Sequence, residues 1–256
     1  MTETPLDRRA RIAAAFGRAG GYDEAAYAQR IAADTLAARI AAADLRAEPR
    51  ILELGCGTGF LTRALRDAIG PADWTVSDVA PAMIDRARAA LDLGADYRVI
   101  DGEAVDPELG RFDLIASSLA FQWFADLPRA IAALAARLEP GGLLAFSTMA
   151  ADSFPEWTAA LAGEGLPGGT PAYPDHAALT ALAPPGFQTD VEIADVVQRT
   201  DARAFLRGLK AIGAGTPAEG YRPLPPAALR RAMARFDAGP RIVTWRIAYC
   251  LISGSR

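Results

Sequence analysis

The stretch Ile51-Leu-Glu-Leu-Gly-Cys-Gly-Thr-Gly-Phe60 constrains this chain more than any other. An apolar run suited to a buried strand passes directly into alternating glycines at Gly55, Gly57 and Gly59. Glycine tolerates a left-handed backbone and lets the chain approach a ligand closely. The segment therefore reads as a strand feeding a ligand-binding turn. Dinucleotide binding in the G-x-G-x-x-G manner would need a third glycine at position 60, where Phe60 stands. A phosphate-cradling P-loop is excluded as well, because no Gly-Lys-Ser/Thr follows.

The loop sits inside a regular rhythm. Strands are expected near 50–54, 73–78, 96–100, 112–117 and 142–148, with helices between them. Pro81 opens one helix, which Gly94 is expected to close. Asp126 opens another, with Leu127, Ile131, Leu134 and Leu138 on one stripe and Pro140-Gly141 as its expected end. Ahead of the loop, residues 23–47 read as a helix with Tyr27, Ile31, Leu36 and Ile40 near one face. Asp23 is its expected N-cap, and Tyr22 can staple against Tyr27. Strands alternating with helices imply parallel pairing in an open α/β sheet with helices on both faces.

After position 150 the rhythm breaks. Residues 163–175 are rich in Gly and Pro and read as a loop. A strand over 187–199, helices over 201–212 and 226–237, and a last strand over 241–252 follow. This part is too interleaved for a domain of its own. The expectation is one domain over 1–256, with 49–150 as the core and 151–256 completing the sheet under a helical cap at about 200–240.

At 256 residues the chain can bury one substantial core. A net charge of -4 gives no global case for nucleic acid or a membrane surface, and neither partner is expected. Cys56 and Cys250 lie far apart, and no apolar run approaches the ~20 residues of a membrane span, so a cytoplasmic protein is expected. His176 is the only histidine, which removes histidine-built zinc sites and His-based triads; no metal is expected.

Open α/β sheets bind ligands beyond the carboxyl ends of their strands. Those ends carry Glu53 and the glycine loop, Asp78, Asp101-Gly102-Glu103 and Ser117-Ser118. Asp78 is placed to accept from two ribose hydroxyls, and the acidic turn from an exocyclic adenine amine. Together these residues resemble the class I S-adenosylmethionine-dependent methyltransferases over about residues 50–150. That resemblance implies a Rossmann-like, seven-stranded, mostly parallel sheet and a ligand that is a nucleoside with a sulfonium tail and no phosphates. S-Adenosylmethionine would be held by Glu53, Gly55, Cys56, Gly57, Gly59, Asp78, Val79, Met83, Asp101, Gly102, Glu103 and Ser118, with Gln29 contributed by residues 1–48 acting as a helical lid.

The flanks narrow the resemblance. Residues 16–30, Ser117–Ile131, Pro140–Met149 and Leu209–Gly215 are similar to the malonyl-acyl-carrier-protein O-methyltransferases of biotin synthesis. That family implies methylation of the free carboxylate of a malonyl thioester. The ester masks the charged end so that chain extension can proceed toward a pimeloyl product. A malonyl carboxylate is already ionised at neutral pH, so no general base is needed. Tyr22, Gln29, Gln122 and Trp123 are the candidates for the acceptor side, with Tyr22, Gln122 and Trp123 nearest the chemistry. An acidic carrier protein calls for a basic docking face, and Arg199, Arg203, Arg207 and Lys210 recur at helical spacing. A monomer is expected. Ser117–Ala130 also resembles a branch of respiratory-complex assembly factors, and another small carboxylate or a quinone precursor is an alternative acceptor.

Overall fold

The computed structural model describes residues 26–168, 171–211 and 223–254, together with Ala14. Tyr22 and Asp23, with the staple and cap expected of them, lie outside the described residues, as does the end of the 209–215 run. The order is α1 (Tyr27–Ala41), β1 (Arg50–Leu54), α2 (Phe60–Ile69), β2 (Asp73–Asp78), α3 (Pro81–Ala90), β3 (Asp96–Val99), β4 (Phe112–Ser118), α4 (Leu127–Ala135) and β5 (Leu138–Met149). Then come α5 (Pro155–Ala162), α6 (His176–Thr180), β6 (Phe187–Arg199), α7 (Ala202–Ala211), α8 (Pro226–Asp237) and β7 (Ile242–Gly254). Short 3-10 turns occupy Pro107–Leu109 and Phe121–Trp123.

The strands form one seven-stranded sheet in the order β3-β2-β1-β4-β5-β7-β6. Pairing is parallel from β3 through β5, and β7 runs antiparallel to both of its neighbours. Chain direction along the sheet reverses between β1 and β4, the switch point where such sheets leave a crevice beyond their strand ends. β1 and β4 are buried almost throughout, as strands covered on both faces must be. β3 and β6 are the two edges.

Several local expectations give way to packing. α1 buries Ala28, Ala32, Ala33, Leu36, Ala37 and Ile40, whereas Tyr27 is 44% exposed. Leu36 and Ile40 are on the inner face as expected and Ile31 packs at its margin, but small alanines complete that face and let α1 lie close on α2 and the sheet, leaving only Tyr27 outside it. α3 opens at Pro81 as expected but stops at Ala90, short of Gly94. Its extended C-cap, Leu91, is buried under the glycine loop, where its side chain would meet a Cβ at Gly59 at 2.9 Å. Asp126 does cap α4, accepting from the Arg129 N–H at 3.1 Å. Pro140-Gly141, however, lies inside β5 rather than at the end of α4. There the pairing with β4 jumps from Phe112↔Leu138 to Leu114↔Leu143, and a bulge has no use for the N–H that proline lacks.

α5, α7 and α8 pack against the sheet end near β7 through an aromatic cluster. Phe154 meets Trp245 edge-on at 4.8 Å between centroids, and Phe205 lies 6.4 Å from Phe236. The Asp237 carboxylate at the end of α8 accepts from the Ala202 N–H at 2.8 Å, which ties those two helices end to start. Among the described residues no helix is long and apolar enough to cross a membrane.

Candidate active site

The cleft opens at the switch point, beyond the carboxyl ends of β1, β2, β3 and β4. Gly55 leaves β1 with φ +71°, and a Cβ there would come within 2.6 Å of the Ala120 Cβ. Glycine is therefore what lets the loop after β1 run against the turn after β4. The loop is fastened from below: the Cys56 N–H donates to the Ser77 carbonyl at 2.9 Å, and the Ser77 hydroxyl donates to the Glu53 carbonyl at 2.7 Å.

Asp78, at the end of β2, holds the loop from the side. Its Oδ2 accepts from the Gly57 N–H at 3.0 Å and its Oδ1 from the Ala80 N–H at 2.8 Å. The carboxylate lines the cleft, and its remaining acceptor capacity suits a pair of vicinal hydroxyls. Burial pushes this carboxyl above its usual range, while the backbone donors pull the other way. Beyond β3, Asp101 Oδ1 accepts from the Glu103 N–H at 3.0 Å, and Glu103 Oε1 accepts from Ala125 and Asp126 at 2.9 and 3.0 Å. Gly102 closes this acidic turn onto Phe124, whose ring a Cβ would meet at 2.7 Å.

Most of the residues singled out from the sequence line this cleft: Gly55, Gly57, Asp78, Val79, Met83, Asp101, Gly102, Glu103, Ser118 and Trp123. Others do not. Cys56 turns into the core beside α2, and burial pushes its thiol far above the ordinary range. Gly59 is the left-handed N-cap of α2 and serves helix packing rather than the cleft wall. Gln29 sits on α1 outside the cleft lining, and Gln122 faces a neighbouring cavity. Arg203, Arg207 and Lys210 are exposed along α7, but Arg199 ends β6, because the helix starts only at Ala202.

Glu53 lies behind the loop with 1% exposure. Its Oε2 accepts the Thr62 hydroxyl at 2.6 Å, and its Oε1 is buried with no hydrogen-bond partner. Burial raises this carboxyl to about 7, against the Thr62 bond and with help from the Asp78 charge. Glu53 is therefore not part of the cleft lining; it acts from behind the loop, where its charge can reach a cationic ligand only through space.

Leu54, Ile100, Leu119, Ala120 and Phe124 complete the lining. Leu54 and Ile100 sit at strand ends that the general rule for open sheets already marks, and they were passed over as apolar. Leu119 has no such mark, since its φ of +51° follows only from the turn it makes, where its N–H donates to Ser147. The apolar residues form walls for a planar base. The charged lining residues are Asp78, Asp101 and Glu103, and no cationic side chain joins them among the described residues. Such a cleft suits a nucleoside carrying positive charge and disfavours phosphates.

A sheet in this order with its last strand reversed, a glycine loop after β1 and an acid closing β2 define the Rossmann-like methyltransferase class. The YcgJ protein of Bacillus subtilis superposes with a TM-score of 0.60 at 15% identity, over 87% of this chain and 98% of that one. The plantazolicin methyltransferase in complex with SAH gives 0.56 at 14% identity, over 98% and 91%. At such identities the likeness is one of fold. Residues 24–237 match the family described as a methyltransferase domain. The chain is 38% identical over 249 residues to the malonyl-[acyl-carrier protein] O-methyltransferase of Magnetococcus marinus, covering 95% of this chain and 92% of that protein. It is 50% identical over 228 residues to the biotin biosynthesis bifunctional protein BioCD of Bordetella avium, covering 89% of this chain but 49% of that one, so it spans about half of the bifunctional protein. The chain belongs to the methyltransferase domain family and, within it, to the malonyl-[acyl-carrier protein] O-methyltransferases.

Proposed function

We propose that this chain is an S-adenosylmethionine-dependent O-methyltransferase of biotin synthesis. It methylates the free carboxylate of a malonyl thioester held on an acyl carrier protein. The observation that carries the reading is the charge of the cleft, acidic and apolar with no cationic lining residue among the described residues, in a chain so similar to proteins named for this reaction. When bound, S-adenosylmethionine supplies an electrophilic methyl group on a sulfonium. Asp78 takes the ribose hydroxyls, the Asp101–Glu103 turn faces the adenine amine, and Ile100 and Phe124 wall the base. Glu53 steadies the loop from behind and, when ionised, adds negative charge beneath the cleft.

On the acceptor side this chain has little proton chemistry to do. The malonyl carboxylate arrives ionised, and His176 is exposed on α6, away from the cleft lining. Trp123 and Phe124 exclude water and narrow the approach to the methyl group, while Gln122 and Tyr22 orient the acceptor. Rate enhancement then rests on alignment and water exclusion. The exposed Arg203, Arg207 and Lys210 offer an acidic carrier protein a basic face on α7. The chain works as one unit, as a cytoplasmic monomer. Incubation with methyl-labelled S-adenosylmethionine and malonyl-acyl-carrier protein should give a labelled methyl ester. Free malonate should give none, and a carrier-bound substrate left unlabelled overturns the reading.

A further inference from the structure

Beside the cofactor cleft lies a second cavity, which shares the wall residue Phe124 with it. Thr148, near the carboxyl end of β5, and Gln122, in the turn after β4, both line it. The far wall is the strap Pro171-Ala172-Tyr173-Pro174, fixed where the Ala151 N–H donates to the Pro174 carbonyl at 2.9 Å. Thr148 has no exposed surface, yet its hydroxyl has no hydrogen-bond partner among the described residues. Gln122 Oε1 is buried and unpartnered too. Its orientation is fixed, because Nε2 donates at 2.7 Å to the Leu119 carbonyl, which can only accept. Folded proteins keep few buried polar atoms unsatisfied, and here one donor and one acceptor line the same space.

No Arg, Lys or His lines the cavity among the described residues, so an ionised carboxylate would be buried there without a counter-charge. Burial also raises the Tyr173 hydroxyl to about 12, which keeps that wall neutral. A donor and an acceptor set among Phe121, Leu127 and Leu182 complement a secondary amide flanked by methylenes. We propose that this cavity holds the amide-bearing arm of the thioester substrate, with the Thr148 hydroxyl donating to an amide carbonyl and Gln122 Oε1 accepting the amide N–H. The carboxylate end then lies across Phe124 toward the cofactor cleft. The inference rests on the proposed malonyl thioester acceptor and adds the part of the protein that grips its arm.

The test uses Thr148→Val, nearly the same shape without the hydroxyl, and Thr148→Ser, which restores it. Pantetheine, an unreactive probe carrying the amides, is titrated calorimetrically into each protein. Thr148→Val should weaken its binding about five- to tenfold and Thr148→Ser should recover it, with S-adenosylmethionine affinity unchanged. KM for malonyl-CoA should rise by the same factor in Thr148→Val, while KM for an amide-free S-methyl malonyl thioester stays put. Equal pantetheine binding by wild type and Thr148→Val, no pantetheine binding by wild type, or an equal KM rise on both thioesters overturns the inference. If pantetheine binds in a Thr148-dependent way but no malonyl thioester is methylated, the arm site stands and the proposed reaction falls.

Discussion

Replacing Glu53 by glutamine isolates what an acid buried behind the glycine loop does to the fold. The unfolded chain titrates this carboxyl near 4.5, whereas burial lifts it to about 7 in the folded state. Between those values the folded protein binds more protons than the unfolded one, so stability falls as pH rises from about 4.5 to about 7 and stays lowered above. At 1.36 kcal/mol per unit, the loss is about 3 kcal/mol. Glutamine stays neutral throughout, and its carbonyl can still accept from Thr62. Urea unfolding of both proteins, followed by tryptophan fluorescence across a pH series, should show near-equal stabilities at about pH 4. By about pH 8 the glutamine protein should be the more stable, by about 3 kcal/mol. Asp78, also raised by burial, contributes in the same direction in both proteins. The same variant should bind S-adenosylmethionine about tenfold more weakly, since it lacks the negative charge proposed beneath the cleft. A stability difference that stays flat with pH, or a glutamine protein less stable at high pH, refutes the reasoning.

Asp78→Ala removes the acceptor for Gly57, Ala80 and the ribose, and should weaken both S-adenosylmethionine and its demethylated product by about 1–3 kcal/mol in calorimetry; unchanged affinity would count against the cleft. At saturating cofactor and acceptor, kcat should be level from about pH 6.5 to 8.5, while cofactor affinity strengthens as pH rises through the Glu53 value; a kcat that climbs with a pKa near about 7.5 means a base has been missed. Reversing Arg203 and Arg207 to Glu should raise KM for the malonyl carrier protein and leave malonyl-CoA nearly unaffected, with the gap closing at high salt. Equal losses on both substrates would remove α7 as the docking face.

The cofactor half was legible because its signals are local. A glycine at a positive φ, an acid at a strand end and a proline at a helix start each act within a few residues, and β1, β2, β6 and α8 fall at the bounds the sequence suggests. What was missed depends on partners distant in sequence. Leu91 ends α3 early because the glycine loop covers it, and Pro140-Gly141 is tolerated in a strand because the pairing slips there. The alanine face of α1 is inner because α2 and the sheet lie close against it, which hydrophobic bulk alone does not encode. Of the two polar residues lining the second cavity, Gln122 was singled out from the sequence but Thr148 was not, since a threonine in a strand carries no sign that its hydroxyl lacks a partner.

The two edge strands also bear on how the molecule keeps its own company. β6 is 13 residues long and, paired on one side by β7, presents an open row of backbone donors and acceptors on the other. Such a row is a template for stacking identical chains into aggregates. β3 offers the opposite edge with only 4 residues. Each edge also exposes one sizeable apolar side chain, Val197 at 51% and Val99 at 57%. Both are hemmed by charge: Asp195 and Arg199 flank Val197, and Asp96 and Arg98 precede Val99. An added strand would have to strip water from those charges along its whole length, so the sheet stops growing where the chain does.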